Sequence, residues 1–241
     1  MLKRDKKVRY PGALCPPKTV EEFRWAFDNL TVRDLMSNAW ARQWKRRWAG
    51  IKTLKNPFDC WVYQELIAET RPDIVIEIGS AWGGSTLFFC AVLDSIGHGE
   101  LISIEICPEI SRIHKKNISH PRLNMVWGRS TDVVERVQQL CAGRRGFVIH
   151  DADHKAESVL QDVRIYSNFV AIGSYLVIED TLNEIFARDQ IYGWNVKKRG
   201  PGPFVAAQQF VKEDDRFVVD NSCHQLIYTV APFGFLKRIK E

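Results

Sequence analysis

Three acidic residues follow two apolar stretches that have the composition of buried strands. Asp151 lies just beyond the stretch 146–149, and Glu179 and Asp180 follow the stretch 175–178. Because parallel strands end at the same edge of a sheet, we expect these carboxylates to converge. Carboxylate oxygens without a nearby cysteine favour a hard cation such as Mg²⁺. The sequence therefore predicts a magnesium site at all three acids, with helix capping as the alternative for Asp180.

A histidine close to the first acid completes this candidate catalytic group. His154 lies three residues after Asp151 and is the candidate general base. The ordinary pKa of histidine is about 6.5, so an imidazole accepts a proton near neutral pH. Asp153 is the competing base or a fourth metal ligand, and His150 is expected to point into the sheet edge.

A glycine-containing turn follows an earlier apolar run, Ile74–Ile78. Gly79 and Gly83 flank this turn, which contains Ser80, and Ser85 opens a stretch that predicts a helix. A strand, a glycine turn and a helix start form a nucleotide-binding element, because free backbone N–H groups point at the ligand. The alternative is an ordinary turn between a strand and a helix.

The spacing of the glycines narrows the choice of ligand. A dinucleotide site needs the pattern G-x-G-x-x-G, but Ala81 stands at its second glycine position, which disfavours an NAD enzyme. The pattern E-x-G-x-x-x-G, which begins at Glu77, resembles motif I of class I S-adenosylmethionine (SAM) methyltransferases. That resemblance implies that the Glu77 carboxylate meets the cationic amine of SAM.

Two further residues are candidates for contacts with SAM. Glu105 ends the second predicted strand, where an acidic side chain accepts hydrogen bonds from both hydroxyls of a ribose. A solvated carboxylate at a strand end is the alternative for Glu105. Ser130 belongs to the loop 128–131 after the third strand, which is expected to flank the adenine.

The elements that position these residues alternate between strands and helices. The predicted strands are 74–78, 101–105, 124–127, 146–149 and 175–178, and the predicted helices are 59–70, 87–93, 108–117, 157–170 and 204–212. This alternation predicts an α/β fold with a Rossmann-like, doubly wound parallel sheet. Two more strands, 217–219 and 226–230, are expected to close the sheet as an antiparallel pair, after a turn or lid at 199–203.

The first part of the chain differs in charge from the rest. Residues 1–55 carry 14 Lys+Arg and 5 Asp+Glu, a net charge of +9, whereas residues 56–241 have a net charge of −4. A mildly acidic body argues against a nucleic-acid partner across the site. We therefore expect two units: a basic N-terminal arm with a helical cap over residues 1–56, and a methyltransferase domain over residues 57–241.

The pattern from Thr19 to about Lys55 predicts helix. Four apolar residues would lie along one face of it: Trp40, Trp44, Trp48 and Ile51. Such a basic, tryptophan-rich helix either packs on the main domain over the substrate cleft or makes a peripheral contact with a membrane surface. The sequence leaves both alternatives open.

Composition limits the class of protein. The 241 residues include six scattered cysteines without a C-x-x-C pair, which favours reduced thiols over disulfides or a zinc site. No apolar run approaches the roughly 20 residues of a membrane span, and the basic N-terminus lacks the apolar segment of a secretory signal. These features predict a cytoplasmic protein.

Several ordered blocks resemble the cephalosporin hydroxylase family, a branch of class I methyltransferases that includes rhamnosyl O-methyltransferases. The resemblance covers residues 44–239. Its blocks are Trp48-Ala-Gly50, Lys55-Asn-Pro57-Phe-Asp59, Tyr63, Pro72-Asp73, Glu77-Ile-Gly79, Gly83-Gly84-Ser85, Asp151-Ala-Asp-His154, Gly173-Ser-Tyr175, Glu179-Asp180, Gly200-Pro201, Phe217-Val-Val-Asp220 and Thr229-Val-Ala-Pro232-Phe-Gly-Phe-Leu-Lys-Arg238.

This resemblance implies SAM-dependent and Mg²⁺-dependent O-methylation of a hydroxyl on a sugar, a glycosylated natural product or a glycolipid. The implied site residues are Glu77, Gly79, Ser85 and Glu105 for SAM, Asp151, Glu179 and Asp180 for magnesium, and His154 as the base. The alternatives are a β-lactam-like or phenolic acceptor, or a non-catalytic SAM- or membrane-binding module, and homo-oligomerisation stays open.

The chain departs from the family pattern at two positions. Glu105 stands where the family usually has aspartate, so the geometry of the ribose contact is open. His150 replaces the usual apolar or acidic residue before the metal-binding aspartate. That substitution leaves the choice between Asp151 and Asp153 open.

Overall fold

A computed structural model describes residues 19–31, 34–35, 45–107, 118–185, 200–224, 226 and 228–241. Residues 1–18 of the predicted N-terminal arm, the predicted helix 108–117 and the residues Trp40, Trp44 and Arg199 lie outside the described residues. None of the described helices is both long and apolar enough to cross a membrane. The division of the chain at residue 56 stays a prediction.

The protein is built around one seven-stranded sheet. Its strands are β3 (Ile74–Ile78), β4 (Glu100–Glu105), β5 (Leu123–Trp127), β6 (Gly146–His150), β7 (Tyr175–Ile178), β8 (Phe217–Val219) and β9 (Phe235–Arg238). They lie in the order β5-β4-β3-β6-β7-β9-β8. The first five are parallel, and β9 is antiparallel to both of its neighbours. This arrangement confirms the predicted Rossmann-like sheet with an antiparallel C-terminal pair.

Alternation along the central strands divides the core between the two faces of the sheet. On β3, Ile74, Ile76 and Ile78 belong to one hydrophobic cluster, whereas Val75 belongs to the other. All five residues of β3 are buried, as expected of a strand covered on both faces. Because each face needs a helical layer, the sequence of this strand already requires helices on both sides.

The described helices are α1 (Val20–Asn29), α2 (Pro57–Thr70), α3 (Gly84–Ser95), α4 (Val134–Cys141), α5 (Ala156–Tyr166), α6 (Leu182–Ile185) and α7 (Pro203–Glu213). The helices predicted at 59–70, 87–93, 157–170 and 204–212 begin within three residues of their predicted starts. Asn56 caps α2, since its side-chain oxygen accepts a hydrogen bond from Phe58 N, and Pro57 stands where no helical N–H is needed. This cap fixes the start of the helix that carries Tyr63.

The prediction of a helix reaching Lys55 is wrong. The strands β1 (Arg47–Trp48) and β2 (Ile51–Lys52) form an antiparallel hairpin there. Its two turn residues, Ala49 and Gly50, have φ values of 47° and 82°, the left-handed conformation of a tight hairpin turn. The ring of Trp48 makes an edge-on contact with Phe88 at 5.1 Å between centroids, so this tryptophan packs against α3.

The prediction of a strand at 226–230 is also wrong, because the last strand is β9. The backbone around Tyr228 and Val230 hydrogen-bonds to the start of α2 instead of to a strand. Val230 N donates to Asp59 Oδ2 at 2.9 Å, and Asn56 Nδ2 donates to Tyr228 O at 3.3 Å. These contacts tie the segment 228–231 to the beginning of α2.

Candidate active site

Asp151 and Glu179 are positioned by backbone hydrogen bonds that continue the sheet beyond the ends of its strands. In the register of the sheet, Ile78 pairs with His150 and His150 pairs with Ile178, so β3, β6 and β7 end at the same level. Asp151 N donates to Ile78 O at 2.9 Å, and Glu179 N donates to His150 O at 3.0 Å. The backbone of both acids is therefore fixed by inter-strand hydrogen bonds.

Gly79 allows the end of β6 to approach the end of β3. Its φ is +93°, and a Cβ atom built there would lie 2.1 Å from the carbonyl oxygen of Asp151. A larger residue would need a left-handed conformation and would also push Asp151 away. The sequence predicted only that Gly79 lets the backbone approach a ligand. In the structure Gly79 also allows β3 and β6 to pack closely.

Three potential metal ligands converge at this edge of the sheet. Asp151, His154 and Asp180 each offer one ligand atom, and these atoms lie within 4.8 Å of one another. His154 Nε2 lies 2.5 Å from Asp180 Oδ2. Burial lowers the pKa of His154, but the hydrogen bond to Asp180 and its charge outweigh that effect and raise the pKa to about 9.

Asp153 lies outside this cluster. Its Oδ1 accepts hydrogen bonds from His154 N at 2.7 Å and from Lys155 N at 3.4 Å. Asp153 therefore holds the turn that presents His154. This geometry favours Asp151 over Asp153 as the acid that faces a bound cation.

Glu179 is part of a buried group of charged and polar side chains next to the cluster of Asp151, His154 and Asp180. Its Oε1 accepts hydrogen bonds from Lys55 Nζ and from the Tyr63 hydroxyl, both at 2.6 Å. Lys55 Nζ also lies 2.6 Å from Asp151 Oδ2. Burial raises the pKa of Glu179, and the positive charge of Lys55 opposes that rise. Glu179 is thus beside the other acids but is engaged by two residues to which the sequence gave no role.

Glu77 is fully buried below the glycine turn. Its Oε2 accepts hydrogen bonds from Thr86 and Ser103, both at 2.6 Å. Its Oε1 has no hydrogen-bond partner among the described residues. Burial raises the pKa of this carboxyl, and the charge of Lys55 opposes the rise. A buried oxygen without a partner is the position that a cationic or hydrogen-bonding ligand group would satisfy.

A cavity of about 420 Å³ lies next to the acids, between the ends of β3, β4 and β6. Gly79, Glu105, Ser130 and Asp151 are among its lining residues. Glu105 Oε2 accepts hydrogen bonds from Ala81 N at 2.8 Å and from Ser80 Oγ at 3.4 Å, so Glu105 also holds the glycine turn in place. Gly83 has a φ of 84°, and Ser85 is buried in the first turn of α3.

The loop that carries Ser130 is held by a hydrogen bond to α5. Ser130 Oγ donates to Asp162 Oδ1 at 2.6 Å, and His150 Nε2 lies 3.0 Å from Asp162 Oδ2. His150 is 2% exposed as the last residue of the central strand β6, and its side chain points to α5 rather than into the sheet edge. It orients an acid of α5 that lines the cavity.

Two solved structures of CmcI have a fold similar to that of this chain. An apo structure of CmcI has a TM-score of 0.61 at 18% identity and covers 96% of this chain and 89% of its own. A structure of CmcI with Mg and SAM has a TM-score of 0.56 at 18% identity and covers 95% of this chain and 89% of its own. The protein therefore has the fold of class I SAM-dependent methyltransferases.

Sequence comparison identifies the family. The sequence model described as rhamnosyl O-methyltransferase/CmcI matches residues 41–239. A rhamnosyl O-methyltransferase of Mycobacterium leprae is 33% identical over 175 residues, which cover 69% of this chain and 70% of that protein. The chain belongs to the rhamnosyl O-methyltransferase/CmcI family. The predictions of this family and of an O-methyltransferase enzyme are confirmed.

Proposed function

We propose that this protein transfers the methyl group of SAM to a hydroxyl of a sugar or of a glycosylated natural product or glycolipid, and that the reaction depends on Mg²⁺. The observation that carries the proposal is the convergence of potential ligand atoms of Asp151, His154 and Asp180 within 4.8 Å of one another, beside a cavity that Asp151 lines together with Gly79 and Glu105. The family to which the chain belongs supports the sugar acceptor.

The cavity and the strand end next to it fit SAM. Glu77 does not line the cavity, but it lies two residues before Gly79, and its unpartnered Oε1 offers a buried negative charge for the amine of the methionine part. Glu105 and Ser130 line the cavity at the ends of β4 and β5, where the ribose and the adenine would lie. Bound there, SAM would supply a sulfonium methyl group as the electrophile.

The acid cluster fits a magnesium ion. Within the described part of the chain, the hydrogen bonds to Asp151 and Glu179 use one oxygen of each carboxylate, Oδ2 and Oε1. Asp151 and Asp180 belong to one group of potential ligands, and the other oxygen of Glu179 would add a further hard donor of the kind that Mg²⁺ prefers. The ion would supply positive charge that polarises the acceptor hydroxyl and offsets the carboxylate charge beside His154.

The residues of the chain then position and deprotonate the acceptor. The charge of a bound ion would lower the pKa of His154 from about 9, so that the imidazole can accept the hydroxyl proton, while Asp180 fixes its orientation through Nε2. SAM would supply the methyl group that the hydroxyl oxygen receives, and its sulfur would leave with the electron pair of the carbon–sulfur bond. Asp151, held by β6 and Lys55, keeps the acceptor in register with the donor, which is expected to supply a large part of the rate.

The proposal is tested by calorimetric titration with SAM and with Mg²⁺, and by mass detection of methylated methyl α-rhamnoside. We expect the wild type to bind both ligands and to methylate the rhamnoside only when Mg²⁺ is present. Asp151→Asn should lose Mg²⁺ binding and about 100-fold or more in kcat. Asp153→Asn is the matched control, because that acid lies outside the cluster, and should keep Mg²⁺ binding.

Two results would overturn parts of the proposal. Absence of SAM binding at millimolar concentration would remove the methyltransferase assignment for this chain. Methylation of a phenol at a higher kcat/KM than any glycoside would retain the methyl transfer and reject the sugar acceptor.

A further inference from the structure

Lys55 contributes a buried positive charge to the site. The residue is 4% exposed, and its Nζ lies 2.6 Å from both Asp151 Oδ2 and Glu179 Oε1. Both contacts are ion pairs, so two carboxylates hold one ammonium in place. Lys55 is thus a fixed positive charge between two of the proposed metal ligands.

The N-terminal hairpin holds Lys55 in this position. Arg46 Nη1 donates to Lys55 O at 3.3 Å, and Thr53 N donates to Arg46 O at 3.1 Å. The hairpin lies so close to α3 that a Cβ atom built on Gly84 would be 2.4 Å from Lys52 O. Because both sides of this short segment are fixed, the backbone from which the Lys55 side chain extends has a fixed place beside the acids.

We propose that Lys55 is a positioning residue, which orients Asp151 and Glu179 so that each binds the metal through one oxygen. The positive charge of Lys55 also lowers the affinity of the site for a divalent ion, so that the ion can exchange. This inference rests on the proposed metal site. Lys55 occupies one oxygen of each carboxylate, so neither acid can bind the ion with both of its oxygens. Its charge also repels a divalent ion that shares the same two carboxylates.

Tyr63 provides the control that separates charge from mere support. Its hydroxyl donates to the same atom, Glu179 Oε1, at the same 2.6 Å as Lys55. Tyr63→Phe removes a hydrogen bond to Glu179 without removing a charge. If Lys55 acts through its charge, only the lysine substitution changes the affinity for a divalent ion by a large factor.

The experiment is titration of the purified full-length chain with Mn²⁺, followed by calorimetry and by the electron paramagnetic resonance of free Mn²⁺. We expect Lys55→Met to bind Mn²⁺ about tenfold more tightly or better, because a repulsive charge is gone. Tyr63→Phe and Lys55→Arg should stay within about threefold of the wild type. Lys55→Gln keeps a hydrogen-bond donor and should follow Lys55→Met, which guards against loss of folding in the apolar variant.

Other outcomes reject the inference in different ways. Unchanged or weaker Mn²⁺ binding in both Lys55→Met and Lys55→Gln overturns it, as does an equal change in Tyr63→Phe. A wild type that binds SAM but no Mn²⁺ overturns the metal part of the proposed function itself. The wild-type titration therefore distinguishes the two failures before any variant is measured.

Discussion

His154 Nε2 lies 2.5 Å from Asp180 Oδ2, so the imidazole of the site is oriented by a carboxylate from the neighbouring strand end. The same two side chains belong to the group of potential metal ligands. His154 can therefore act as the base or as a ligand. The two roles predict different responses to its replacement.

We expect His154→Gln to lower kcat by about 10²- to 10⁴-fold, the usual contribution of a general base. Its Mn²⁺ affinity should stay within about threefold of the wild type, because the acids would still hold the ion. Steady-state kinetics and Mn²⁺ titration of the same preparation measure both quantities. A parallel loss of Mn²⁺ binding would instead identify His154 as a ligand.

Replacement of Gly79 tests the close approach of β3 and β6. In Gly79→Ala the new Cβ would lie 2.1 Å from Asp151 O, whereas Gly97 also has a positive φ, of +64°, but has nothing within 4 Å. We expect Gly97→Ala to cost about 1–2 kcal/mol of unfolding free energy, and Gly79→Ala about 4 kcal/mol or more. Urea unfolding measures both, and equal losses would contradict the role of the contact with Asp151.

Replacement of Gly84 tests the docking of the hairpin. Alanine in a helix is normally more favourable than glycine, but a Cβ at Gly84 would lie 2.4 Å from Lys52 O and 2.6 Å from Thr53 Cβ. We expect Gly84→Ala to increase hydrogen exchange in residues 47–55, measured by mass spectrometry. Gly97→Ala, outside the hairpin and with nothing within 4 Å, serves as the control. Unchanged exchange in Gly84→Ala would show that α3 does not hold the hairpin.

Asp59 should make stability depend on pH. It is 2% exposed, and burial raises its pKa to about 6 from an ordinary 3.8, although hydrogen bonds from Val230 and others oppose the rise. An acid whose pKa is raised by folding stabilises the folded state most at low pH, and this contribution is lost as the pH rises from about 4 to 6. We therefore expect the unfolding free energy of the wild type, relative to Asp59→Asn, to fall by about 2 kcal/mol across that range.

Chemical denaturation at several pH values measures this difference. The variant keeps the shape of the side chain but does not titrate, so it serves as its own pH control. A constant difference between pH 4 and pH 7 would mean that the Asp59 carboxyl keeps its ordinary pKa in the folded protein.

Part of the fold could be read from local sequence. The β-branched run Ile74–Ile78 and the stretch Tyr175–Ile178 were predicted with the bounds that the structure shows, since a short apolar run between polar ends is typical of a buried strand. Asp151 and Asp180 converge as predicted from the rule that parallel strands end at one edge. The placement of Glu179 as a metal ligand stays a prediction.

The errors have physical causes that a local pattern does not contain. Trp48 and Ile51 match the spacing of a helix face, but the left-handed pair Ala49-Gly50 reverses the chain between them. Tyr228 and Val230 have strand-like neighbours in sequence, yet their backbone groups bind the start of α2. Tertiary contacts therefore determine the conformation of both segments.

Two side chains of the site, Lys55 and Tyr63, lie in the blocks that resemble the family, but the sequence indicated no role for them. Lys55 lies 96 positions from Asp151 and 124 from Glu179, and Tyr63 lies 116 positions from Glu179. Spacing in the chain cannot indicate that such distant residues meet. The nearest signal was that Lys55 and Tyr63 flank Asp59 in the family pattern.

The long separation between Lys55 and Glu179 has a consequence for how the protein folds. Bringing together two residues that are 124 positions apart has a high entropic cost and is slow. The contact becomes stable only after the parallel sheet between the two residues has formed. The metal site is therefore expected to assemble late, after the folding transition state. Added Mn²⁺ should then slow unfolding and leave the refolding rate nearly unchanged, because an ion that binds only the native chain stabilises what forms last.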